Sequence, residues 1–176
     1  MQKFHTILAW LLLLFLLAHL IMGVVTMLTP VALLQGPLPW VFLVLVLIHA
    51  VMALWKVGKK KKFSHLVAYP KQNGLYWARS FSGLAVFVLV VVHRTLWTVQ
   101  TPFGKLLRDF EWPSLLAQLL FVAALATHIL LNLRPLLIDS GIDPEGAAKK
   151  WLKVIAILLL LVAAVAALIY FMRGAL

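Results

Sequence analysis

The chain has no cysteine and only five acidic residues among its 176. The first absence excludes disulfides, zinc–thiolate centres and any iron–sulfur cluster held by this chain alone. It also excludes covalent c-type haem attachment, which needs a Cys-x-x-Cys-His run. The second absence, against sixteen Lys and Arg, leaves a net charge of +11. The basic residues flank apolar runs and sit on no soluble module, which argues against nucleic-acid binding. They read instead as orientation signals and as contacts with anionic lipid or a docked partner. Charged residues make up 12% and hydrophobic ones 64%, the balance of a membrane protein. The apolar runs are too many and too long for a signal peptide, so the run from residue 4 is expected to be retained.

The pattern predicts an all-α membrane protein, a single integral membrane domain over residues 1–176. Five transmembrane helices are expected, at about 4–28, 38–56, 75–101, 112–138 and 151–172, the first four forming a cofactor-binding bundle. The first carries no charge and stops before Thr29-Pro30. Residues 31–39, VALLQGPLP, turn the chain back through prolines and a glycine. Residues 56–62, KVGKKKK, open the most basic stretch. Pro102 is expected to end the third helix, and Trp112-Pro113 to start the fourth, since proline is tolerated in a first turn. In the loop DSGIDPEGAAKK, Asp143-Pro144-Glu145 looks like a helix start. The positive-inside rule then puts the N-terminus and the basic loops in the cytoplasm and the C-terminus outside, as expected for the inner membrane of a prokaryote.

Four histidines lie deep in these runs, His19, His49, His93 and His128, one on each of the first four helices. An intramembrane ionisable residue is costly and marks a functional site by default. His19 lies sixteen residues past Lys3 and His93 fourteen past Arg79; His49 lies seven before Lys56 and His128 six before Arg134. With those basic residues marking the inner boundary, two histidines are ~20–25 Å deep and two ~10 Å deep. His19 then pairs with His93 on an outer level, and His49 with His128 on an inner one. Two b-type haems, each held by two imidazoles, fit that arrangement. Such iron has no open position and suits electron transfer over oxygen chemistry.

Each ligating ring needs an acceptor for its other nitrogen, and the nearest expected is the carbonyl four residues back, at Phe15, Leu45, Leu89 and Ala124. Ser82 and Gly83 lie on the His93 face at the inner level and are expected to let a macrocycle approach the backbone. Haem propionates call for basic groups at the membrane edges. Arg79, Lys56 and Arg134 are the inner candidates, Arg94 and Arg108 the outer ones. Plainer readings compete. A lone membrane histidine is more often a helix–helix hydrogen-bonding group than a ligand; four of them paired in depth favour haem. His5 and His65 read as solvated at the boundary, and most tryptophans as interfacial anchors. Arg79 and Arg134 read equally as snorkelling side chains.

These residues resemble a known family, the five-helix dihaem cytochrome b membrane subunit of fumarate reductases and succinate dehydrogenases. The likeness covers most of the chain. It rests on residues 75–83 (LYWARSFSG) leading to His93, Trp112-Pro113 leading to His128, the Asp-Pro-Glu loop, and the order and spacing of the histidines. It implies His19 and His93 as ligands of the distal haem, and His49 and His128 as those of the proximal one. It implies a flavoprotein subunit with FAD and an iron–sulfur subunit on the cytoplasmic face, in a dimer of heterotrimers. It also implies menaquinone or another quinone as redox partner, with dicarboxylate chemistry on the flavoprotein. Two family features are missing: residues 31–39 carry no acid, and Ala126 stands where some members have glutamate two before the last haem histidine. Quinone contacts are therefore sought among polar residues near the outer ends, Gln35, Gln100, Thr101, Asp109 and Glu111. Two other functions compete: a dihaem anchor of a nitrate-reductase or hydrogenase type, and a non-haem metal or proton transporter. Histidines at two depths fit a single metal site poorly.

Overall fold

Apolar sequence away from water must satisfy its backbone groups internally, and a helix does so within one segment. Five such helices form in the computed structural model, which describes residues 2–29, 37–58, 71–96, 98–101, 104–107 and 111–175. They are α1 (Gln2–Leu28), α2 (Leu38–Gly58), α3 (Gly74–Leu96), α4 (Trp112–Asp139) and α5 (Ala147–Ala175). All five are long and apolar enough to span a membrane. The shortest apolar span has 19 residues, which rise roughly 28 Å, about the thickness of a hydrocarbon core. The chain is a helical membrane bundle, as its composition predicts.

One boundary differs by more than four residues. Helix three was expected to run to Thr101, but α3 ends at Leu96. Strands β1 (Thr98–Thr101) and β2 (Gly104–Leu107) follow as an antiparallel pair, with Thr98 opposite Leu107 and Thr101 opposite Gly104. The apolar run gives way at Thr98-Val99-Gln100-Thr101, where Thr98, Val99 and Thr101 are β-branched and favour extended backbone. Proline at 102 also disfavours helix at the residue before it. At the far end of α4, Gly141 takes a left-handed φ of 72°. The Ile142 N–H donates to the Leu137 carbonyl at 2.9 Å and the Gly141 N–H to that of Ile138 at 3.0 Å, a Schellman stop. The loop beyond is tied by Glu145, which accepts from Lys149 at 2.7 Å and from Arg134 at 2.9 Å. Those bonds, Lys149 first, hold its carboxyl below the usual carboxylate range.

α5 wedges between α1 and α4, and α2 and α3 pack on the flanks of α1 and α4. The seam is built from Met27, Leu115, Ala166 and Ala167, with Tyr170 and Phe171 against it. Alanines there let backbones approach closely, which is how helices associate without a hydrophobic drive. The ends are pinned. Gln2 donates to Asp139 and Trp10 to Ser140, both at 2.8 Å, and Arg173 donates to the Leu28 carbonyl at 2.9 Å.

Pro135 lies inside α4. It has no N–H, so the carbonyl of Leu131, four residues back, loses its helical donor. Arg79 Nε of α3 donates to that carbonyl at 2.9 Å. Arg79→Leu is therefore expected to cost about 1–3 kcal/mol, the penalty of a buried acceptor left unpaired. In a Pro135→Ala background, where the main-chain donor returns, the cost should fall below ~1 kcal/mol. Denaturation in mixed micelles of the four proteins measures this, and additive effects would refute the link.

Candidate functional site

α3 and α4 hold the best-defined part. His93 faces α4, where Gln118 and Phe121, three residues apart, share one face. His93 Nδ1 lies 2.9 Å from Gln118 Oε1, and the Phe121 ring centre is 5.1 Å from the imidazole. An amide oxygen only accepts, so His93 Nδ1 carries the proton and the lone pair resides on Nε2. Across the bundle, the His19 ring of α1 stands 6.1 Å from that of His93, at 71°. His19 also abuts Phe42 of α2 at 5.5 Å. Among the described residues its Nδ1 is buried with no hydrogen-bond partner. The His19 and His93 rings, expected on one level from depth, are neighbours in the bundle.

The second level lies toward the end that contains Gln2 and Asp139. His128 Nδ1 is 3.2 Å from Ser82 Oγ, and the Ser82 hydroxyl donates to the Arg79 carbonyl at 3.0 Å. Asn132 Nδ2 lies 3.4 Å from the same Nδ1, so Ser82 and Asn132 both flank it. Asn132 Nδ2 donates to the His128 carbonyl at 2.8 Å. A Cβ on Gly83 would lie 3.0 Å from His128 Cε1 and 3.3 Å from Nδ1. Ser82 and Gly83 lie against His128, and what Gly83 admits to the backbone is the His128 ring. The expected carbonyl partners at Leu89 and Ala124 give way to Gln118 and Ser82, side chains of the facing helix. Phe15 and Leu45 are likewise unused, since among the described residues the Nδ1 atoms of His19 and His49 have no partner.

His49 stacks on His5, with ring centres 4.8 Å apart and planes at 23°. The ring in contact with His49 is thus that of His5. His5, expected to be solvated, is half-buried, and among the described residues its Nε2 is enclosed without a hydrogen-bond partner. α1 begins at Gln2, and its first turns are pinned to the end of α4, which carries His5 inside. Among the described residues no three His, Cys, Asp or Glu converge as one metal site.

Of the basic candidates, Arg79 holds the Leu131 carbonyl and Arg134 pairs with Glu145. Arg94 lies over the Trp40 ring at 4.4 Å, joining α3 to α2 near His93. Lys56 is half-buried near His5 and His49. Arg108, Gln35, Asp109, His65 and the run 59–62 lie outside the described residues. Gln100 and Thr101 belong to β1, so the expected place of Gln100 on the His93 helix face does not hold. Glu111 is the exposed N-cap of α4, with no side-chain cap bond. The sequence reading missed Gln118, although a lone amide inside an apolar run is itself a signal. No family model, curated protein or solved structure matches the chain.

Proposed function

We propose that the chain is the dihaem cytochrome b membrane anchor of a fumarate reductase or succinate dehydrogenase, passing electrons between a membrane quinone and an iron–sulfur subunit. One observation supports this: the His19 and His93 ring centres lie 6.1 Å apart with planes at 71°, and His93 Nδ1 is held by Gln118. Two imidazoles on opposite sides of one metal, each ~2 Å from it, have ring centres roughly 6 Å apart. The donor set also fits: two imidazoles per level, no thiolate, and buried nitrogens on His19 and His49 that the protein leaves unpaired. Bound between two imidazoles, haem supplies one-electron transfer with no open iron position.

The protein's own groups do the rest. Gln118 holds the His93 ring, and Ser82 and Asn132 flank that of His128. Gly83 seats the His128 ring against α3. Arg94 and Lys56 are the basic groups left to meet propionates, since Arg79 and Arg134 are engaged elsewhere. The basic loops face the cytoplasm, where a flavoprotein with FAD and an iron–sulfur subunit dock. The quinone binds near the opposite ends of the helices, the side of Glu111.

Affinity purification of the tagged chain from native membranes tests this reading. Two soluble subunits carrying FAD and iron–sulfur clusters should co-elute, and succinate should reduce b-type absorbance that fumarate reoxidises. Partners with nitrate-reductase or hydrogenase activity would overturn it.

A further inference from the structure

We propose that Gln118 is the positioning residue of the outer histidine pair, its amide oxygen fixing the His93 tautomer and tuning the reduction potential at that level alone. The second half of this rests on the dihaem reading; the first rests on geometry. Gln118 lies on α4, whereas the histidine it holds is on α3, so it acts across a helix interface. With Phe121 it bounds the ring, by a hydrogen bond at 2.9 Å and a ring contact at 5.1 Å. Among the described residues the opposing ring of His19 finds no hydrogen bond at Nδ1, so the described bond at this level falls on His93. An uncharged amide in apolar sequence is costly without a purpose. The other level uses a different group, the Ser82 hydroxyl. Because the two acceptors are separate, each level is adjustable without the other.

The direction of the effect follows from the bond. An acceptor at Nδ1 makes the imidazole a stronger electron donor through Nε2. More donation stabilises oxidised iron and lowers its potential. Gln118→Leu removes the acceptor and should raise one potential. Gln118→Glu keeps size and shape, strengthens the acceptor and should lower the same potential. The level served by Ser82 should not respond to either.

Two measurements on the purified full chain separate the halves. Nitrogen-15 spectra of histidine-labelled, reduced protein should show a His93 Nδ1–H whose shift marks a hydrogen bond that Gln118→Leu removes and Gln118→Glu retains. Potentiometric titration should show one of two waves moving up in Gln118→Leu and down in Gln118→Glu. An unaltered Nδ1–H shift in Gln118→Leu, or two waves that move together or not at all, would overturn the assignment. A wild-type preparation without haem would instead sink the dihaem reading, and the nitrogen spectra would still decide whether Gln118 sets the tautomer.

Discussion

Replacing His93 with leucine is expected to halve the haem carried per chain, removing one b-type component and leaving the other. His93 is central to its level: it opposes His19, is held by Gln118 and is packed by Phe121. Leucine is similar in bulk and apolar, so the helix contact survives. The amide of Gln118 loses its ring partner, at about 1–3 kcal/mol, a cost that a five-helix bundle seamed by α5 should bear. The second level draws on other side chains, His128 with Ser82 and His49 with His5, so it should stay loaded. Pyridine haemochrome per protein, with redox-resolved visible spectra, reads the result. Loss of both components in a protein that still purifies as a folded bundle would mean one coupled site and would contradict two independent levels.

Gly83→Leu should produce the complementary loss. By propensity alone the change favours α3 by about 1 kcal/mol. The space is the obstacle, because even a single Cβ would lie 3.0 Å from His128 Cε1. A leucine must take the place of the imidazole, breaking the Ser82 contact and overpacking the α3–α4 interface at about 1–3 kcal/mol. The level of His128 should lose its haem while that of His19 and His93 keeps it. Gly83→Ala should be milder: the ring shifts slightly, and the inner potential changes with occupancy retained. Spectra of the two variants beside His93→Leu give the comparison. Full occupancy of both levels in Gly83→Leu would show that the His128 ring does not depend on this seat.

The bundle was legible because its signals are long. Unbroken apolar runs between basic or proline-rich breaks leave the backbone little choice, and the helix bounds follow. The end of α3 was not legible to the residue, since the apolar run fades into Thr98-Val99-Gln100-Thr101 without a sharp break, and β-branching there favours the hairpin. Depth counting from Lys3 and Arg79 brought His19 and His93 together, because rise per residue is fixed and both helices are straight runs. It could not see His5. That residue looks peripheral by position and is drawn in by Gln2 and Trp10 reaching the end of α4. It also could not see who holds each ring. Partners across a helix interface depend on rotation about the helix axis, which Gln118 and Ser82 report only once α3 and α4 are packed. The link from Pro135 through the Leu131 carbonyl to Arg79 is of the same kind. A proline in a helix announces an orphan acceptor, but the donor's identity comes from the neighbour.

The central claim is that imidazoles meet in twos at separate depths to hold iron. Quantitative pyridine haemochrome on the purified, fully assembled chain tests it most directly. Two b-type haems per chain is the predicted value; a well-folded preparation with no Soret absorption would contradict it.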